Sequence, residues 1–300
     1  DLSDAEFTAA PYCSTVINTN SPRMLDRPMA QALIDFARAG QMCIVTPFCL
    51  AGAMAPITIA GALTLQHAEA LAAITLNQLA KPGAPVMYGG FGSNVDMKSG
   101  APSFGTPEHI QMSIGSGQLA RHIGLPWRSA AGAAANTNDM QATHETVMSL
   151  WGCLQANATM VIHAAGWLEG GLIACPEKFI MDCEVLQMIQ RYMEPEVVAT
   201  GPEDIAFDAI KEVGPTGHYF GIQHTQDRYE TAFYQPFVSD WRNFEAWELA
   251  GSVWTPERAH RMYKDILTHV EEPPMDVAVR EELAEFVARR KAEGGAPTDF

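Results

Sequence analysis

Short runs rich in β-branched residues alternate along this chain with longer stretches whose apolar positions recur at helical spacing. Residues 13–18 (CSTVIN) and 42–46 (MCIVT) have the length and content of buried strands. Residues 86–88, 126–130 and 160–163 repeat the pattern, and 218–223 is a sixth candidate strand. Helix starts are marked between them. Thr106-Pro107-Glu108, Gly201-Pro202-Glu203 and Thr255-Pro256-Glu257 each put proline where its missing N–H has no bond to lose. The acid that follows faces the positive end of the helix dipole. Asn138-Asp139 opens a helix through about Gln155, and Cys175-Pro176-Glu177 opens one through about Tyr192. A long helix from near Pro56 is closed by Lys81-Pro82-Gly83, and Gly124 and Gly214 read as terminal glycines.

Strand, helix and strand in steady succession mean parallel pairing through right-handed crossovers. Such a chain closes as a doubly wound open sheet or as a barrel. Units of about 30 to 50 residues, with glycine-rich strand ends such as Tyr88-Gly89-Gly90-Phe91-Gly92, suit an α/β (β/α)8 TIM-type barrel with elaborated loops. Six strands fall short of eight, so the N-terminal strands are expected upstream of Asp1, where the chain opens without methionine. Residues 1–300 then form a single barrel-type domain, with 239–300 a helical C-terminal extension. Open sheet edges need covering, so a homo-oligomer is expected. The stretch 91–105 reads as a lid or an ordinary connection.

Composition narrows the function. A formal charge of −16 removes nucleic acid from the expected partners, because phosphate binding needs clustered Lys and Arg. The acidic surface serves solubility, or favours a cationic ligand. Six scattered cysteines without a CxxC pair fit reduced thiols in a cytoplasm. The most apolar stretch, 51–79, is interrupted by Gln66, His67, Glu69, Asn77 and Gln78, so no membrane span is expected. Gly115-x-Gly117-x-x-Ala120 imitates a dinucleotide fingerprint, but it falls inside the helical pattern begun at Pro107, not after a strand. No HExxH, phosphate loop or compact Cys/His cluster occurs, and no metal site is expected.

Two segments carry chemistry. In 160–184 (MVIHAAGWLEGGLIACPEKFIMDCE), His163 sits at a strand end, where barrel enzymes place working side chains. Ala164-Ala165-Gly166 permits close approach to the backbone, and Trp167, Glu169 and Gly170-Gly171 follow. The second segment, 221–247, packs two Trp, two Tyr and three Phe around His224, Asp227, Arg228 and Glu230. Rings at that density can cover the face of an organic cation. Each ring taken singly is more often a core residue.

Both segments resemble the trimethylamine methyltransferase family of corrinoid-dependent methyltransferases. The first shows His-x-x-Gly-Trp-Leu-x-Gly-Gly-Leu before a Glu-Lys-Phe helix; the second shows His-Thr, Phe-Tyr-x-Pro and Trp-Arg-x-Phe-Glu-x-Trp. The likeness covers essentially the whole chain and corresponds to the C-terminal part of the family's usual length. It implies a (β/α)8 barrel whose open end presents a small quaternary or tertiary amine to Co(I) of a cognate corrinoid protein. On that view the chain itself binds no cofactor tightly; the corrinoid of the partner is the methyl acceptor. The archaeal trimethylamine enzymes carry pyrrolysine in a loop matching 131–138, which here reads Ala-Gly-Ala-Ala-Ala-Asn-Thr-Asn. The departure turns the expectation toward glycine betaine and similar quaternary amines.

A quaternary nitrogen leaves as a neutral tertiary amine and needs no proton, so the barrel's task is positioning. Trp167, Tyr88 and Phe91 are the first cage candidates, with Trp127, Tyr219 and Phe220 behind them. His163 and His224 are candidates for orienting a substrate carboxylate or lining the cobalt-facing mouth. Arg228 is a candidate to pair with that carboxylate, and Glu169 completes the expected substrate-binding set. Two other functions compete. One is a metal-dependent barrel hydrolase using His163, His218 and His224 with Asp227 or Glu169; the other is a quaternary-amine-binding protein without catalysis.

Overall fold

Five short strands form the centre: β1 (Ser14–Ile17), β2 (Met42–Val45), β3 (Val86–Gly89), β4 (Trp127–Ala130) and β5 (Met160–Ile162). The computed structural model describes residues 2–195, 201 and 203–294. It arranges the five strands in one sheet in the order β1-β2-β3-β4-β5, every neighbouring pair parallel. Each crossover therefore advances by one strand. That is the winding of a barrel, whereas a doubly wound sheet reverses at a switch point. Among the described residues β1 and β5 do not pair with each other, so the sheet is an open arc of five strands.

The expected strand at 218–223 does not form. Residues 219–222 are turns and bends, and a four-residue helix, Gln223–Gln226, begins where the strand was to end. Tyr219 and Phe220 are exposed there. An extended segment needs a partner edge for its N–H groups, and this one uses them in local turns instead, as in Ile222 N to Tyr219 O.

A helix follows each strand: α1 (Arg27–Arg38), α2 (Ile59–Ala80), α3 (Pro107–His122), α4 (Met140–Gln155) and α5 (Pro176–Met193). Asp26, Thr58, Thr106 and Asp139 each cap a helix start by accepting a first-turn amide. Helix α1 is not among the expected helices, although Asp26 and Pro28 mark its start. The fingerprint imitation lies within α3. A Cβ at Gly117 would fall 2.5 Å from the Ala156 carbonyl oxygen, so this glycine serves close packing of α3 on the end of α4. Pro202 lies outside the described residues, and the nearest helix spans Phe207–Val213, four residues beyond Glu203.

Helix α2 is long and apolar enough to cross a membrane by length and composition alone. Yet Gln66, Glu69 and Asn77 are buried along it, and it packs against α1, β2 and β3. Glu69 is fully engaged there, accepting from the hydroxyls of Thr19 and Ser21 and the amide of Arg23. Residues 91–105 form a hairpin, with Ser93–Val95 paired to Pro102–Ser103 and to Leu50–Ala51. Helices Phe244–Leu249, Thr255–Thr268 and Val277–Ala292 follow the exposed aromatic stretch. Thr255–Thr268 packs on α5, Ala259 meeting Ile180 and Val238. Glu184 of α5 holds the approach to it, accepting the amides of Phe237, Val238 and Ser239.

Candidate functional site

Pleating divides the sheet into two faces, because successive side chains of a strand alternate. Ile17, Val45, Tyr88 and Trp127 lie in one row of paired positions. That row packs with Leu33, Ala70, Ala73 and Ala120 of the surrounding helices. Tyr88 and Trp127, both expected in the cage, thus fill the layer between sheet and helices. Tyr88 directs its hydroxyl to His67 Nδ1, 3.2 Å away. The next residue along, Arg128, pairs with Gly89 and faces the other way.

On that other face rings converge from the C-terminal ends of the strands. Phe48 follows β2, Phe91 follows β3, His163 follows β5 directly, and Trp167 lies four residues further. Phe104 closes the hairpin and His109 comes from the first turn of α3. Phe91 is the hub. Its centroid lies 5.2 Å from Phe48, 4.9 Å from Phe104, 5.8 Å from His163 and 5.9 Å from Trp167. His163 and Trp167 stack at 3.8 Å with planes 5° from parallel. Three of the expected residues, Phe91, His163 and Trp167, are brought together; Phe48, Phe104 and His109 join them without having been expected.

Arg128 was not anticipated either, and it dominates the electrostatics. Its side chain is 1% exposed. Nη2 lies 2.9 Å from His163 Nε2, while Nε has no hydrogen-bond partner. No carboxylate among the described residues forms a salt bridge with it. Burial pulls its pKa down to about 10, which leaves it charged at neutral pH. A guanidinium only donates, so His163 Nε2 supplies a lone pair and the ring is neutral, with its proton on Nδ1. Burial first, and the Arg128 charge second, push the His163 pKa down to about 4.

The surrounding backbone is shaped to the indole. Trp167–Leu168 pairs with Ile173–Ala174 in a short antiparallel ribbon. A Cβ on Gly132 would come within 2.9 Å of the indole, and one on Gly171 within 2.5 Å. Gly171 also has φ +97°, a conformation L side chains rarely adopt. Glu145 of α4 fixes the 131–138 loop by accepting the amides of Ala134 and Ala135 at 2.8 and 3.0 Å. Ahead of Trp167, the Gly166 amide donates to Asp182, which is paired with Lys178 at 2.5 Å. Burial there outweighs Lys178, so the Asp182 pKa is raised. Glu169 points to solvent in the turn between the ribbon strands.

The remaining expected residues lie elsewhere. Tyr219 and Phe220 are exposed. Phe220, His224, Arg228, Tyr229 and Phe233 line an open groove of about 650 Å³, where Arg228 bonds the His224 carbonyl of its own turn. The histidines and acids proposed for a hydrolase do not assemble: among the described residues no three His, Cys, Asp or Glu side chains converge where a metal could sit. All six cysteines are free thiols.

A family model described as trimethylamine methyltransferase matches residues 2–295. A glycine betaine methyltransferase of Desulfitobacterium hafniense is 38% identical over 287 residues, covering 95% of this chain and 59% of the relative. A trimethylamine methyltransferase of the same species is 31% identical, and one of Methanosarcina mazei 29% identical, each matched over 57% of its length. The chain thus spans just under three fifths of the length of these curated relatives.

Proposed function

Because the chain belongs to the trimethylamine methyltransferase family, we propose that it takes a methyl group from a betaine, a quaternary amine that also carries a carboxylate. The acceptor on this reading is Co(I) in the corrinoid of a partner protein. One observation carries the substrate class: a buried guanidinium joined through His163 to stacked rings, with a free Nε and no carboxylate of its own. A buried cation is costly unless a counter-charge meets it. A ligand carboxylate bridging Nε and Nη2 would supply that charge and two charge-assisted hydrogen bonds. The same ligand's ammonium would then lie against Trp167 and Phe91, each ring contributing about 0.5–2 kcal/mol. A simple methylamine has nothing to offer Arg128. The similarity to a glycine betaine methyltransferase supports the same class.

The chemistry asks little more of the protein than placement. The C–N bond breaks with its electron pair going to nitrogen, the Co(I) pair forms the Co–C bond, and a neutral tertiary amine leaves. No proton moves, which suits a site whose histidine is held neutral. On this reading the arc of five strands is part of an eight-stranded barrel, further strands pairing on the free edges of β1 and β5. Free thiols support a reducing compartment, and the exposed rings of 219–254 support self-association.

Incubating the chain with Co(I) cobalamin and a panel of glycine betaine, carnitine, trimethylamine and tetramethylammonium tests the proposal. Methyl-cobalt absorption should grow with the carboxylate-bearing quaternary amines and stay flat with trimethylamine. Betaine binding without methyl transfer would favour the binding-protein reading, and transfer from trimethylamine alone would overturn the substrate class.

A further inference from the structure

Trp167 and Arg128 are already engaged before any ligand arrives, and by one side chain. His163 covers the indole with its ring, 3.8 Å away and parallel within 5°. The same ring gives its Nε2 lone pair to Arg128 Nη2 at 2.9 Å. It also contacts Phe91, at 5.8 Å between centroids. An aromatic face and a buried guanidinium are the two partners a betaine needs, and His163 spans both. The backbone at His163 has φ +64°, which is uncommon for a residue other than glycine, so the ring is carried into place by an unusual local conformation.

We propose that His163 is a resident occupant of the betaine site, which must leave Trp167 and Arg128 before the ligand can take them. The inference rests on the reading of Trp167 and Arg128 given above. Imidazole is a weaker partner on both counts than the ligand it stands in for. It is neutral, so it brings the guanidinium an acceptor but no counter-charge. It leaves Nε unbonded, where a carboxylate can bridge two nitrogens. Against the indole it offers a neutral ring where an ammonium offers cation–π attraction. Exchange is therefore favourable, but apparent affinity is reduced by the fraction of time the site is capped. His163 is only partly buried, and the small side chains of Ala164 and Ala165 follow it.

The occupant can be removed without touching the groups it covers. His163→Ala removes the ring; His163→Asn also removes it while tolerating the left-handed backbone, and guards against a folding defect in the first variant. Calorimetric titration with glycine betaine and with tetramethylammonium reads the outcome. Both ligands should bind the variants more tightly than wild type, by roughly tenfold if the uncapped state is about a tenth of the population. Unchanged or weaker betaine binding in both variants overturns the proposal and makes His163 a ligand contact or a structural residue. Tighter binding without methyl transfer leaves the occupant in place and sinks the transfer reading alone. No betaine binding to any of the three proteins sinks both.

Discussion

Two regions of this molecule are rich in aromatic side chains, and only one of them is packed around a buried charge. Segment 221–247 is the denser in sequence, yet Tyr229, Phe233, Trp241 and Phe244 are each more than half exposed. The cluster around Phe91 draws single rings from positions 48 to 167, and Phe91 and Phe104 are almost wholly buried. Density along a chain puts rings on one stretch of surface; parallel strands ending at one edge put rings from distant segments around one point. The second arrangement also holds Arg128, and the combination of aromatic faces and buried charge is what the betaine proposal rests on.

Replacing Arg128 by methionine should break that preference most severely. Loss of two charge-assisted hydrogen bonds predicts betaine binding weaker by roughly a hundredfold. Thermal stability should hold or rise, because a buried charge without a counter-ion is gone. Calorimetry and a melting curve on one sample would read both effects; lost binding together with a collapsed melting temperature would make Arg128 structural. Gly171→Ala attacks the seat of Trp167 through an overlap with the indole and a strained φ, and should cost about 2–3 kcal/mol. Gly221→Ala, in the exposed stretch with nothing within 4 Å of its Cβ, should stay within about 0.5 kcal/mol. Chemical denaturation of the pair gives the contrast directly, and equal losses would contradict it.

Acid should reach the enclosed cluster before the exposed one. Burial pushes the His109 pKa down to about 4, whereas in the unfolded chain a histidine titrates near 6.5. Below about pH 6.5 the unfolded state binds a proton the folded state refuses, so stability is lost as pH falls toward 4. At pH 5 this amounts to on the order of 2 kcal/mol. His109→Gln should make the fall in melting temperature between pH 7 and 5 shallower, with His163, also held near 4, supplying a remaining share; an unaltered slope would remove His109 as a cause. The smallest effect belongs to Phe220→Ser. Its ring is 81% exposed, and betaine affinity should change by less than about twofold; a large loss would return the exposed stretch to the binding site.

Much of the architecture was legible because it is written locally. All five strands of the sheet and four of the five helices that follow them are read from their own period, cap or proline signal, and the fifth, α1, carries one too in Asp26 and Pro28. A strand end followed by glycines points to His163 and Trp167, and the glycine-rich turn after β3 to Phe91; the three rings do meet. What escaped depends on register and on distant contacts. Tyr88 lies inside β3 and Trp127 opens β4, and pleating turns their row toward the helices. Arg128 is their neighbour on the opposite face, and a lone charged residue within the strand Trp-Arg-Ser-Ala was the available signal. Phe48, Phe104 and His109 have no local mark, since only the folded chain brings them to Phe91.

Comparing glycine betaine with its methyl ester tests the central claim most directly, since the ester keeps the quaternary nitrogen and loses only the carboxylate charge. The wild-type chain should bind the ester more weakly by roughly tenfold or more, and Arg128→Met should bind the two alike. Equal affinity of the wild-type chain for both would contradict the account, leaving Arg128 without a role in choosing the ligand.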